Sequence, residues 1–339
     1  MNAARSVTLF GTSSLLRFVL GSWLWACASL VSAQTIDAPT ALRDDLGVVT
    51  LRCTSTDVVI RYSIDGSDPG PKGGPYLAPL DWAQGGRIKA RAYSADRKQS
   101  SELFEMKYDS LPNIKPQPAT LVPCTQDRDW PTYDWAKRHA AVTVLLREKK
   151  SELVFIGDSI TQMFGGEPAD RGQPGKAVWE KYYSRRNAGN LGFGYDYIEN
   201  TLWRLRHGEL DGAAAKVVVI HLGTNNVGKN SVEDIVTGLR AIVAEVRQRQ
   251  PQAQILLMGI LPRGPKPDAT RTKQAEINTQ LATWHGRDNV TFLDITAKYL
   301  QPDGSIPREL MSDYLHPTDK GYEIWAEAIE PQLKKWLGE

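Results

Sequence analysis

The chain has 339 residues, with 41 basic and 39 acidic side chains, a 41% apolar share and a 24% charged share. That is the make-up of a soluble globular protein long enough for two domains. Arg5 and Arg17 account for the surplus of two cations, so the balance from residue 34 onward is even. With no long basic run, there is no electrostatic case for nucleic acid or an anionic membrane as partner, and a neutral substrate is the easier fit.

Residues 1–33 read as a secretory signal. Arg5 and Arg17 supply the positive flank, and Phe18 to Val31 is an apolar stretch too short for a comfortable membrane span. Val31-Ser32-Ala33 has the small residues of a cleavage site, which would start the mature chain at Gln34 and send it to the periplasm or outside the cell. A competing reading makes Cys27 a lipidated residue, but Trp25 fits poorly the small residues such a site prefers. After cleavage Cys53 and Cys124 remain. In an oxidising compartment they can pair, stapling a connector to the first domain, or they can be two separate thiols. Neither spacing suggests a metal site, and no cofactor is expected.

Residues 34–110 alternate short strand patterns with turns. Val48 to Cys53, Val58 to Ile64, Arg87 to Tyr93 and Glu102 to Tyr108 are the candidate strands, with Asp65-Gly66 as a turn signal. Short strands at this spacing predict a small all-β sandwich. Tyr62, Tyr76, Trp82 and Tyr93 are read as sandwich core, with a sugar-stacking surface as the alternative. Residues 111–132 carry five prolines (112, 116, 118, 123 and 131) and read as a semi-rigid linker.

Residues 133–339 form the larger domain. Asp134 to Lys150 has a helical pattern and leads into Leu153-Val154-Phe155-Ile156, a continuous apolar run that suits a buried parallel strand. The run stops at Gly157-Asp158-Ser159. A small polar triplet at the carboxyl end of such a strand is where open α/β sheets place ligands. Ser159 at a helix N-terminus could be a nucleophile; on the triplet alone, Asp158 or Ser159 could as well be a helix cap. A strand over Asn187 to Leu191 ends in a glycine-rich turn, Gly192 to Asp196, which would let backbone N–H groups face a reacting oxygen. Ile198 to Leu210 reads as a helix. The strand Lys216 to Leu222 ends in Gly223-Thr224-Asn225-Asn226, and an Asn225 amide could donate into the same crevice. A helix over Val232 to Arg249, strands over Gln254 to Ile260 and Val290 to Ile295, and a helix from about Asp268 to His285 complete five strands alternating with helices. That pattern predicts a doubly wound parallel sheet.

Near the end stands Asp313-Tyr314-Leu315-His316, before a last amphipathic helix to about Leu337. Acyl transfer by a serine needs a base and an anion to orient that base, and a His three residues after an Asp supplies both. Of the five histidines only His316 has a carboxylate so placed. His139, His207 and His285 lie on predicted helices, and His221 ends a buried strand.

Gly157-Asp158-Ser159-Ile160, the Gly192 to Asp196 turn, Gly223-Thr224-Asn225 and Asp313-Tyr314-Leu315-His316, in this order, resemble the blocks of the SGNH, or GDSL, hydrolase family. Leu202-Trp203-Arg204-Leu205, Gly208-Glu209-Leu210 and Leu261-Pro262-Arg263-Gly264 resemble in particular the catalytic subunits of platelet-activating-factor acetylhydrolase. The resemblance implies a flavodoxin-like sheet and ester hydrolysis through Ser159, His316 and Asp313. It also implies an oxyanion hole from the Ser159 N–H, a backbone N–H of the second block and the Asn225 side chain. One departure is Tyr195, which stands where the family has its oxyanion glycine; the backbone donor survives, but a side chain restricts φ. Another is the Gly- and Pro-rich insert from Gly165 to Lys176, expected to form a rim that sets substrate choice. Tyr62 to Pro69 with Tyr76 and Ile88 to Ala92 resembles the small fibronectin-III-like domain of chitobiases and β-hexosaminidases, which implies an accessory module of carbohydrate enzymes. Together these lead to an esterase that removes acetyl groups from an oligo- or polysaccharide. Hydrolysis of lipid or thioester acyl groups, and sugar binding by an inactive fold, are the alternatives.

Overall fold

The alternating runs of the first domain become seven short antiparallel strands: β1 (Thr40–Arg43), β2 (Val48–Arg52), β3 (Val58–Ser63), β4 (Gly74–Pro75), β5 (Leu80–Asp81), β6 (Gly86–Ser94) and β7 (Phe104–Tyr108). They form two sheets, ordered β1-β2-β5 and β4-β3-β6-β7. Val49, Leu51, Leu80, Ile88 and the aromatics Tyr62 and Trp82 fill the space between them. Tyr62, Trp82 and Tyr93 are only 3%, 4% and 6% exposed, so these rings are core and not a stacking surface. The computed structural model describes residues 35–339; the expected signal segment and Cys27 lie outside the described residues.

The connector departs from a free spacer after Pro118. Val122 and Cys124 insert into the sandwich core. Thr120 Oγ1 donates to the Asp234 carbonyl, and the Cys124 carbonyl accepts from Asn200 Nδ2 at 2.9 Å. Asp127, almost fully buried, takes Arg61 at 3.0 Å and Arg97 at 2.8 Å on one carboxylate oxygen. Among the described residues, Cys53 and Cys124 are both free thiols.

The larger domain runs α1 (Trp135–Lys149), β8 (Leu153–Gly157), α2 (Ser159–Gln162), α3 (Lys176–Tyr183), β9 (Ala188–Gly192), α4 (Ile198–Arg206), β10 (Val217–His221), α5 (Val232–Arg249), β11 (Gln254–Met258), α6 (Ala269–Ala282), β12 (Val290–Leu293) and α7 (Asp319–Leu337). Its five strands are all parallel and ordered β9-β8-β10-β11-β12, the flavodoxin-like arrangement. Strand side chains alternate between two cores. Val154, Ile156, Val218, Ile220, Ile255 and Leu257 face α1, α4, α5 and α6. Leu153, Phe155, Val217, Val219, Leu256 and Met258 face α3 and α7. This two-sided burial is why the strands read as unbroken apolar runs. The helix expected over Ile198 to Leu210 stops at Arg206, where Gly208 turns the chain at φ +91°. His285 falls just past α6, not on it.

Candidate active site at three strand tips

The sheet reverses its strand order between β8 and β10, and such a reversal opens a crevice at the carboxyl ends of the strands. Register makes the three tips level: Gly157 pairs with His221 on one side and with Gly192 on the other. The segments holding Ser159, Tyr195 and Asn225 therefore leave the sheet at one height.

Asp158 caps α2, its Oδ1 accepting from the Ile160 N–H at 3.0 Å. That leaves Ser159 as the first residue of the helix, 6% exposed, with its N–H among the groups a helix leaves without an internal acceptor. The opposite side of α2 is packed solid: Ile160 is fully buried and its carbonyl accepts from Tyr322 OH at 2.6 Å. Of the two readings of this triplet, the helix cap falls to Asp158, which leaves the Ser159 hydroxyl free of that role.

The loop after Met311 brings the second half of the site. Asp313 Oδ1 accepts from the N–H groups of Leu315 at 3.0 Å and His316 at 2.8 Å. Its Oδ2 is 2.7 Å from His316 Nδ1, and His316 Nε2 is 2.9 Å from Ser159 Oγ. The sharp turn is carried by Tyr314 at φ +61°, and Gly264 donates to the Tyr314 carbonyl at 2.8 Å. Burial alone would push the Asp313 carboxyl up. The hydrogen bonds from the His316 side chain and backbone outweigh it and hold the acid below its ordinary range. An ionised Asp313 keeps the proton on Nδ1, which leaves Nε2 free to accept from the serine hydroxyl.

The turn after β9 is clamped from several directions. A side chain on Gly192 would collide with the Gln162 backbone. The Gly194 N–H donates to Gln162 Oε1 at 2.8 Å, and its carbonyl accepts from Gln126 and Tyr133 at 3.0 and 2.9 Å. The Asp196 carboxylate, fully buried, takes Gln126 at 2.9 Å, Trp135 at 2.8 Å and Arg204 at 2.8 Å. Between them Tyr195 sits at φ +62° with about half its surface exposed. Its N–H meets no acceptor among the described residues, whereas the Asp196 N–H is taken by the Phe193 carbonyl. Asn225 Nδ2 donates to the Asp196 carbonyl at 2.9 Å, which fixes the amide and leaves its second N–H available.

Three contributors have no signature in the sequence. Gln162, one turn along α2 from Ser159, holds the Gly194 N–H. Gln126 reaches the same turn from the connector. Arg171, from the insert, pairs with Asp129 beside Gly194, so the insert does border the turn. Each lies in a stretch without periodicity. His221, almost fully buried, accepts from the Leu261 N–H at 3.4 Å, and burial pushes its pKa down to about 4, which keeps it neutral. No group of His, Cys, Asp and Glu able to hold a metal occurs among the described residues, and no helix among them is long and apolar enough to cross a membrane.

A hydroxyl, imidazole and carboxylate in hydrogen-bonded line at the switch point of a doubly wound sheet define a serine acylhydrolase architecture. The sequence agrees: the profile of the GDSL-like lipase/acylhydrolase family matches residues 155–324, and the chain belongs to that family. The Fn3-associated profile matches residues 49–108. Platelet-activating factor acetylhydrolase IB subunit alpha2 of Rattus norvegicus is 36% identical over 206 residues, covering 60% of this chain and 86% of that protein. Subunit alpha1 of Homo sapiens is 34% identical, covering 60% and 85%. Among solved structures, a GDSL-like lipase of Bacteroides thetaiotaomicron matches with a TM-score of 0.49 at 17% identity, covering 59% of this chain and 97% of that one.

Proposed function

We propose that this acylhydrolase is an exported esterase that removes acetyl groups from carbohydrate, with Ser159, His316 and Asp313 as its catalytic residues. The observation that carries the reading is the continuous line from Asp313 Oδ2 through His316 to Ser159 Oγ. Ser159 Oγ attacks the acyl carbon while His316 Nε2 takes its proton. The oxygen that becomes negative is received by the Ser159 and Tyr195 N–H groups and the free N–H of Asn225. His316 returns the proton to the departing sugar oxygen. Water, deprotonated by the same imidazole, then releases acetate and restores the serine. Asp313 holds the tautomer throughout.

Acetyl as the acyl group is supported by the name of the relatives, which are acetylhydrolases. Carbohydrate as the alcohol is supported by the accessory sandwich and by the even charge balance. Export is supported by Arg5, Arg17, the apolar run and Val31-Ser32-Ala33. A second reading, an acetylated glycerophospholipid as substrate, is favoured by the same relatives' name, that of a platelet-activating factor enzyme.

Acetate release measured across acetylated xylan, mannan, pectin and an acetylated ether phospholipid separates the two. The expected result is release from at least one glycan at a higher kcat/KM than from the lipid; the reverse ranking overturns the carbohydrate assignment. Ser159→Ala should lower turnover of an aryl acetate by about 10^4- to 10^6-fold. Near-full activity in that variant refutes the catalytic assignment itself.

A further inference from the structure

A crevice of about 550 Å³ opens between the sandwich, the connector and the hydrolase domain, and it contains none of the catalytic residues. We propose that it is a second binding site, for a neutral oligosaccharide, which anchors the unreacted part of a glycan beside the active site. The inference rests on the carbohydrate reading for its role in turnover, but its binding chemistry stands on the lining alone.

The volume falls in the range of small-molecule sites. Its polar lining includes Asp65, Ser67, Gln84, Gln117, Arg128 and Lys229. Hydroxyls and amides both donate and accept, as a polyhydroxylated ligand requires. Full charges there are nearly matched: Lys229 lies 4.0 Å from Glu199 and also faces Asp65. An anionic ligand would meet two carboxylates, and a cationic one would meet Arg128, Lys229 and Lys72. Three cations against two carboxylates leave a surplus of one, so a neutral ligand meets a nearly balanced surface. The floor is made by the edges of the core side chains Trp82 and Val122, so it is apolar, and the polar rim is what holds a ligand.

Position links this crevice to the chemistry. Arg128 lines it and donates to the Tyr195 carbonyl at 3.2 Å and to Asn200 Oδ1 at 2.9 Å. Its guanidinium lies 4.4 Å over the Tyr197 ring. Gln126, also on the lining, bonds Gly194 and Asp196. One guanidinium therefore separates a bound saccharide from the turn that carries the Tyr195 N–H. A glycan spanning both places would hold its acetylated residue near Ser159 at higher effective concentration.

The test uses the full mature chain carrying Ser159→Ala, titrated calorimetrically with cellohexaose, xylohexaose and mannohexaose, and with hexagalacturonate as the anionic probe. The expected result is binding of at least one neutral hexamer, weakened tenfold or more by Gln117→Trp and by Ser67→Trp, two exposed rim positions where an indole would fill the crevice. Circular dichroism of each variant verifies folding, and at least one of the two must fold for the comparison. No binding of any neutral hexamer, tighter binding of hexagalacturonate, or unchanged binding in a folded rim variant overturns the site. Neutral binding that follows this pattern, in an enzyme that releases no acetate from any glycan, sinks the carbohydrate assignment and leaves the site standing.

Discussion

Tyr195 occupies a left-handed backbone conformation that costs a residue with a side chain about 1 kcal/mol relative to glycine. Glycine would relieve that strain but add freedom to the unfolded chain, a loss of ~0.5–1 kcal/mol. The two nearly cancel, so Tyr195→Gly should leave the melting temperature within a few degrees of the parent. Its effect belongs to selectivity. The N–H remains, but the exposed ring on the turn after β9 is gone, so the octanoyl-to-acetyl ratio of kcat/KM on aryl esters should rise at least several-fold. An unchanged ratio would mean the ring does not border the acyl site. Asp158 poses a different residue-scale question. It is fully buried, Oδ2 has no partner among the described residues, and burial raises its pKa from 3.8 to about 7. A carboxyl whose folded pKa is raised adds stability that is complete below the unfolded value and is lost as pH rises through the folded one. Asp158 thus favours the folded state at pH 4 and stops doing so above pH 7, a change of up to ~4 kcal/mol at the rate of ~1.4 per unit. Asp158→Asn keeps the acceptor for the Ile160 N–H and removes the titration. The melting-temperature difference between variant and parent should move in the variant's favour between pH 5 and 8, and a flat difference would show that Asp158 stays ionised throughout.

At the scale of elements, α5 shows how a helix accepts a neighbour. A Cβ on Gly238 would lie 2.7 Å from Thr120 Cβ and 2.8 Å from Ile198 Cγ2. Gly238→Ala gains ~1 kcal/mol of helix propensity but meets crowding worth ~1–3 kcal/mol. The crowding should win, and the urea midpoint should fall; a rise would mean that the connector yields easily. The same connector shows what the sequence could not express. β8 and β10 were readable because strands buried on both faces are apolar at every position, and Leu153 to Ile156 and Val217 to Ile220 have no other use. Ser159, Asn225, Asp313 and His316 could be named because each follows a strand tip or sits at a spacing that hydrogen bonding dictates. Thr120, Val122, Cys124 and Gln126 could not. They are buried at every second position, but small, polar and apolar side chains alternate against three different surfaces, so no apolar strand pattern shows, and five prolines imitate a spacer. α3 escaped for a related reason: its buried Val178, Trp179 and Tyr183 follow an insert of glycine and proline that hides where the helix begins.

At the scale of the molecule, residues 36–339 form one compact unit, although the sequence divides into a sandwich, a connector and a hydrolase. The active-site turn explains why the division is not a functional one. Two of the side chains that hold Gly194 and Asp196 come from different segments, Gln126 from the connector and Arg204 from α4. Removing Gln126 leaves a buried carboxylate short of a donor, which costs ~1–3 kcal/mol, and it takes one of the two side-chain donors, Gln126 and Tyr133, from the Gly194 carbonyl. A loosened turn no longer presents the Tyr195 N–H at a fixed place, and misplacing this proposed oxyanion donor should cost roughly 10²–10³ in turnover. Two truncations separate the connector's contribution from that of the sandwich. A chain of residues 119–339 keeps Thr120, Gln126, Arg128 and Asp129, and loses only the sandwich that covers Val122 and Cys124. A chain of residues 133–339 loses the clamp as well. The longer piece should hydrolyse an aryl acetate within tenfold of the intact protein, while the shorter should be at least a hundredfold slower or fail to fold. Equal and high activity in both would show that the hydrolase domain sets its own oxyanion turn, and that the connector merely ties the two domains together.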